Sequence, residues 1–330
     1  MVIYYFILCI AVFSDITRVV ALNPTNSLSR REVLIGGGSV VGTLGGFFLG
    51  FPAWASDTAD GRPIAVLGAS GRTGALCVTA CLKRGIPVRA LTRSGSWPPE
   101  SMEGITVGSN TNKNLLTVAS CDVRDSIALQ KSVEGCRGVI YAASASKQGG
   151  NAKEIDNLAV VNAGDACLKA KVGRYVIISS TAVTRPKSLG YVFTNVFGGI
   201  MDEKRKGEQG VMDIYKTAES SSYTILRPGG LEEPKLNVAL GPSALEISQG
   251  DTFAGIVSRA DLAELAVELV ASNAPNLRDT ALELYYTDSA QACEGRFKPL
   301  LTNGVVPRLH GTTYDELLYR IQPNLDYYVP

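Results

Sequence analysis

The segment Gly68-Ala69-Ser70-Gly71-Arg72-Thr73-Gly74 constrains this chain most, because the apolar run Ile64-Ala65-Val66-Leu67 leads straight into it. A helical stretch, Ala75 to Arg84, follows. Strand, glycine-punctuated turn and helix in that order present backbone N–H groups and a helix N-terminus to a pyrophosphate. Gly68 then permits the tight turn, Gly71 lets the chain approach phosphates without a Cβ in the way, and Gly74 lets the helix pack closely on the strand. A glycine-rich turn with no ligand is the competing reading. Correct flanks on both sides favour a dinucleotide site.

The second strand bears on which dinucleotide. An NAD site places Asp or Glu about 20 residues on, at the end of that strand, to bind the ribose 2′-OH. Here the run Ile86-Pro87-Val88-Arg89-Ala90-Leu91 ends in Thr92-Arg93-Ser94, with no carboxylate nearby. Arg93 can fork onto a 2′-phosphate, with Arg72 in the turn as a second cation. Taken singly, each arginine is as easily read as solvated surface. Together with the missing acid they favour NADP over NAD.

The N-terminal stretch reads as targeting sequence. Met1 to Phe13 has the length of a signal-peptide apolar region, and Val19 with Ala21 gives a cleavage point, so residues 1–21 form a signal peptide. Residues 22–55 combine a transit segment with a second leader. In it the twin-arginine motif Ser29-Arg30-Arg31-Glu32-Val33-Leu34 precedes a glycine-rich apolar stretch, Val33 to Phe51, and the A-x-A site Ala53-Trp54-Ala55. Two leaders in series resemble the stacked presequences of nucleus-encoded proteins in algae with secondary plastids. That resemblance implies a plastid address, the thylakoid lumen first and the stroma as the alternative. An uncleaved Val33–Phe51 would instead tie the protein to the thylakoid membrane.

Cleavage after Ala55 leaves one α/β domain, residues 56–330. The leader holds three of the 32 Lys+Arg and two of the 31 Asp+Glu, so the remainder carries 29 of each. A neutral surface argues against nucleic acid as a partner. The seven cysteines show no C-x-x-C spacing, and His310 is the single histidine, so no metal site is expected. Cys77 and Cys81, four apart on one helix face, read as small core residues, with a redox pair as the lesser reading.

Strand-like and helical runs alternate to the tail, the pattern of a doubly wound, mostly parallel sheet in a single domain with a small substrate lobe and a C-terminal extension. Strands are expected at Leu115–Ser120, Gly138–Tyr141, Tyr175–Ile178, Tyr223–Arg227 and Leu282–Thr287, the last closing the sheet. Helices are expected at Glu154–Ala170, Ile200–Tyr215 and Leu262–Ala271, the last opened by a capping box, Ser258 to Asp261. Residues 94–114 read as a surface loop around Trp97-Pro98-Pro99, and Leu231 to Val257 as irregular. The tail, 288–330, is expected to pack on the domain surface or on a protein partner through a short helix, Tyr314 to Ile321. Ligands of such sheets gather at the carboxyl ends of the strands, so the polar strand-end residues should share one crevice.

Several motifs in order resemble the atypical short-chain dehydrogenase/reductase superfamily. Within it they resemble the plant and cyanobacterial NAD(P)-binding proteins related to the Rossmann domain of a plastid inner-envelope import component. The matching pieces are GASGRTG at Gly68, Cys121-Asp122-Val123, YVIISS from Tyr175 to Ser180, Lys204 to Gln209, YTILRPGGL from Tyr223 to Leu231, and Val257 to Asp261. They span most of residues 62–287. The resemblance implies that Gly68, Ser70, Gly71, Arg72, Thr73 and Gly74 hold the pyrophosphate and that Arg93 takes the 2′-phosphate. It places Asp122 and Val123 at the adenine edge, and Ala142, Ala143 and Ser144 beside the ribose. Ser179 then faces the nicotinamide, Lys204 bonds its ribose, and the backbone of Pro228 and Gly229 meets the carboxamide. The import component's flavoenzyme partnership runs through a repeat-rich extension, and no such repeats occur here.

The chain departs from this pattern where hydride transfer is concerned. Short-chain dehydrogenases use Tyr-x-x-x-Lys, in which the lysine prepares the tyrosine to exchange a proton with the substrate oxygen. With Lys204 as the lysine, the tyrosine position is Ile200. Tyr191 lies further upstream, on reach only if the loop brings it back. The Lys204–Lys206 cluster also reads as a solvated helix face with Lys204–Glu208 and Asp202–Lys206 pairs. Two functions remain open: an NADPH-dependent reductase of a small carbonyl or enone compound, with Lys204, Ser179 and Tyr191 as catalytic candidates, and a non-catalytic NADPH-sensing or scaffold protein. A lumenal address weighs against the first, since NADPH is made on the stromal side. The substrate is not legible.

Overall fold

The structure, a computed structural model, describes residues 60–97, 113–145, 150–196, 198–232, 238–292 and 308–323. The leader and most of the 94–114 connection lie outside them. Eight strands form one sheet in the order β3-β2-β1-β4-β5-β6-β11-β8. They are β1 (Ile64–Leu67), β2 (Val88–Thr92), β3 (Leu116–Ser120), β4 (Gly138–Tyr141), β5 (Arg174–Ile178), β6 (Ser222–Pro228), β8 (Leu245–Ser248) and β11 (Thr280–Tyr286). All pairings are parallel except that of β8 with β11.

Both faces of this sheet are covered, so its central strands are apolar throughout rather than alternating. In β1, Ile64 and Val66 point into one core and Ala65 and Leu67 into the other, all fully buried. The first core is roofed by α1 (Arg72–Lys83) and α6 (Arg259–Ala271). The second is roofed by α2 (Ser126–Val133), α3 (Ala159–Lys169) and α5 (Ile200–Tyr215). A further short helix, α4 (Leu189–Asn195), precedes α5. Cys77 and Cys81 are free and fully buried in the first core, and burial pushes both thiols up, Cys81 to about 12. Such full burial fits the reading of both as small core residues.

Four expectations need correction. The Leu282–Thr287 run does not close the sheet: β11 is an interior strand, and the edge is β8, taken from the segment read as irregular. Its sequence Leu-Glu-Ile-Ser alternates like a half-exposed strand, yet Glu246 and Ser248 are as buried as Leu245 and Ile247. Glu246 is satisfied by Arg308 and by the Tyr285 hydroxyl at 2.9 Å. The same segment also contributes β7 (Gly230–Glu232) and β10 (Ile256–Ser258), which pair in parallel beside the main sheet.

Residues 308–323 of the tail are built into the domain rather than laid on it. Leu309 bridges Ile247, and Leu317 and Leu318 of α7 (Tyr314–Leu318), with Ile321, enter the first core. The capping box is half formed: Ser258 Oγ accepts from the Asp261 N–H, but the Ser258 N–H goes to the Tyr286 hydroxyl. The Asp261 carboxylate instead collects Tyr286, Ser258 Oγ and the N–H groups of Leu240 and Gly241.

Candidate functional site

Register brings the strand ends together. Leu67 lies opposite Leu91 and Tyr141, Tyr141 opposite Ile177, and Ile178 opposite Leu226. Gly68, Thr92, Ala142 and Ser179 therefore emerge at one edge. The order 3-2-1-4-5-6 reverses between β1 and β4, the place where open α/β sheets leave a crevice.

The glycine turn fits a pyrophosphate for reasons visible in its packing. Gly68 sits at φ +80°, and a Cβ there would lie 2.8 Å from the backbone of Ala143. A Cβ on Gly74 would lie 2.2 Å from the Gly68 carbonyl oxygen. The turn is thus folded tightly onto both β4 and its own helix, leaving its outer side to a ligand. Gly71 caps α1 without a side chain, and the first turn of α1 carries no acid. A helix start so built exposes N–H groups and a positive dipole end to an anion.

Beyond the turn, Arg93 is exposed immediately after β2, with its carbonyl held by Ser120 Oγ at 3.0 Å. Arg72 is exposed as well. Asp122 is gripped by Arg124 through Nε at 3.0 Å and Nη2 at 2.6 Å. That fork, with a lesser pull from Arg93, holds its carboxyl down at about 2, so it remains an acceptor at every physiological pH. Val123 is buried beside it.

A pocket opens further along the same edge. Tyr141, Ala143, Asp156, Ser179, Lys204 and Glu208 line it, with Val160, Ile177 and Ile178 as apolar wall. Ser179 Oγ is buried and has no hydrogen-bond partner among the described residues. A buried hydroxyl without a partner is costly unless a ligand supplies one. Lys204 Nζ lies 2.8 Å from Asp156, whose side chain is fully buried.

Asp156 was not singled out by sequence. It sits within what reads as one amphipathic helix but is a π-helical turn, Lys153–Leu158, followed by α3. The lysine cluster takes other partners than the solvated-face reading gives it. Lys204 takes Asp156, Glu208 takes Arg227 at 2.7 Å, Lys206 takes Glu203 at 2.6 Å, and Asp202 takes Tyr191 and Asn195.

Tyr191 does not join the pocket. It packs with Val183 and Met201, its hydroxyl donates to Asp202, and burial followed by that bond pushes the phenol well up. Ile200 opens α5. Pro228 and Gly229 stand at the end of β6, but the Pro228 carbonyl accepts from Thr181 and the Gly229 N–H donates to Leu284. Their backbone therefore offers a carboxamide less than the resemblance implies. Ser144 stands just past the end of β4, its hydroxyl donating to Asp156 at 2.8 Å.

A family model described as NAD(P)H-binding matches residues 68–273. The chain belongs to the NAD(P)H-binding family. Within it, the chain is 29% identical over 231 residues to the chloroplastic protein TIC 62 of Pisum sativum, covering 66% of this chain and 42% of that one. It is 28% identical over 217 residues to an uncharacterised chloroplastic protein of Arabidopsis thaliana, covering 63% and 71%. It thus spans less than half the length of the TIC 62 protein. Among solved structures, the oxidoreductase ylbE from Lactococcus lactis superposes with a TM-score of 0.53 at 19% identity, over 69% of this chain and 92% of that chain. A short-chain dehydrogenase/reductase from Veillonella parvula in complex with NADP gives 0.50 at 14%, over 69% and 96%. These likenesses establish the Rossmann fold, and the resemblance read from the motifs is borne out.

Proposed function

We propose that this NAD(P)H-binding protein is an NADPH-dependent reductase of a small carbonyl or enone compound, working in the plastid. The observation that carries the proposal is the buried, unpartnered Ser179 hydroxyl in a pocket shared with Lys204, at the strand ends where the nicotinamide would lie. The cofactor, when bound, supplies hydride. The chain's own part is to hold the ribose through Lys204, to exclude water with the apolar wall, and to offer the Ser179 hydroxyl to the substrate oxygen. NADP rather than NAD is supported by Arg93 at the end of β2 and the lack of an acid there. A plastid address is supported by the chloroplastic relatives, and the thylakoid lumen or its membrane by the twin leader.

A second reading has its own support. With Ile200 in the tyrosine position and Tyr191 committed to Asp202, no activated phenol reaches the pocket among the described residues. The protein would then bind NADPH as a sensor or scaffold without turnover, reporting to a protein partner. Steady-state NADPH oxidation over a panel of quinones and small carbonyls separates the two. Under the reductase reading Ser179→Ala lowers turnover by about 100-fold, the scale of losing a positioned proton donor, with cofactor affinity unchanged. No wild-type turnover on any substrate, with NADPH binding intact, leaves the sensor.

A further inference from the structure

Asp156 is the most enclosed charge in the pocket, and every bond it makes leads to the site. Its Oδ1 accepts from Ser144 Oγ and from Lys204 Nζ, each at 2.8 Å, and its Oδ2 accepts from the Ala145 N–H at 2.9 Å. The fold has gone to some trouble to place it. In the turn Lys153–Leu158 the Ala159 N–H reaches back five residues to the Glu154 carbonyl, widening the helix by one residue. The Tyr141 hydroxyl pins that turn to the end of β4 through the Ile155 carbonyl at 2.6 Å. On the other side a Cβ at position 207 would lie 2.4 Å from the Asp156 carbonyl oxygen, so Gly207 lets α5 come close enough for Lys204 to reach the carboxylate. Single π-turns inside helices are found mostly at functional sites.

We propose that Asp156 is a positioning residue that acts through Lys204, fixing the ammonium where the nicotinamide-ribose half of the cofactor is received. The inference rests on the NAD(P)H-binding reading of the crevice. Lysine carries four rotatable bonds and a point charge, so an unanchored Lys204 would spend little of its time at one position. Asp156 holds it with an anion that is itself held by Ser144 and Ala145, the strand-end segment beside the ribose. A merely structural staple between the π-turn and α5 would support the whole domain, and its loss would affect both halves of the dinucleotide alike. A positioning role affects one half.

The test compares the cofactor with its adenosine half by calorimetry: NADPH against adenosine 2′,5′-bisphosphate, or NADH against ADP if that is what the wild type binds. Asp156→Asn is expected to weaken the whole cofactor at least about tenfold, the scale of one hydrogen bond to a charged group, and the adenosine half by less than about twofold. Lys204→Met should do the same. The double variant should be no worse than Lys204→Met within about twofold, because residues acting through one contact are not additive. The double variant also removes both charges, leaving none buried alone. Should Asp156→Asn fail to fold, Ser144→Ala, which cuts one of the three bonds to the carboxylate, must show the same one-sided loss in smaller measure. Equal losses on both ligands, no loss on the cofactor, or additive losses in the double variant would overturn the proposal. A wild type that binds neither ligand would bring down the cofactor reading first, before any variant is made.

Discussion

Replacing Gly74 with alanine pits helix propensity against sterics at the phosphate turn. Alanine inside a helix is worth up to about 1 kcal/mol over glycine. Against this, the new Cβ would lie 2.2 Å from the Gly68 carbonyl oxygen, 2.8 Å from its carbon and 3.1 Å from Ala69 Cα. All three are backbone atoms, which cannot rotate away as a side-chain tip can. Restoring an ordinary contact of about 3.5 Å needs a shift of roughly 1 Å between the turn and α1. Overpacking of this kind costs about 1–3 kcal/mol, and rigid neighbours place it at the upper end. Sterics win by about 1–2 kcal/mol, which lowers Tm by about 2–8 °C in a domain this size. The same shift moves the N–H groups that face the pyrophosphate, and losing one bond to a charged group weakens NADPH binding at least about tenfold. Thermal unfolding and calorimetric titration read both effects. Gly61→Ala, with no neighbour within 4 Å of its Cβ, serves as the control. Wild-type Tm and affinity in Gly74→Ala would refute the packing argument.

Two further outcomes follow from the buried charges and the tail. Glu283 is fully buried beside Arg227, and burial first, then Asp251, pushes it up to about 8. Its unfolded value is about 4.3. The folded state therefore keeps the proton longer, and stability falls as pH rises between about 4.3 and 8, then levels. Glu283→Gln should remove most of that slope in denaturant titrations across pH 5–9, and an unchanged slope would assign it elsewhere. Leu317→Ala, fully buried in the first core, should cost about 2–5 kcal/mol of unfolding free energy, whereas a tail perched on the surface would lose under about 0.5.

The sequence made the cofactor end of this molecule readable, and physical reasons explain where reading stopped. β1, the glycine turn and α1 were legible because a glycine's reason is local: a positive φ at Gly68 and a close approach at Gly74. The helix Ile200–Tyr215 was found at its observed bounds. The strand β8 was missed because its two polar residues look solvent-facing, and only distant groups, Arg308, Tyr285 and Glu283, make their burial tolerable. Lys204 was given to Glu208 by the i, i+4 rule, which describes an isolated helix surface. In the fold Glu208 faces the fully buried Arg227, which leaves Lys204 to Asp156. Asp156 itself was hidden because a π-turn leaves no mark in the apolar pattern of the helix that contains it.

Titration of the wild type with NADPH and with NADH, repeated on Arg93→Ala, tests the central claim most directly. The account predicts NADPH at least about tenfold tighter than NADH, from one charge-assisted fork on the 2′-phosphate, and near-equal affinities once Arg93 is removed. Equal affinities in the wild type would contradict the assignment of NADP, and no binding of either dinucleotide would contradict the site as a whole.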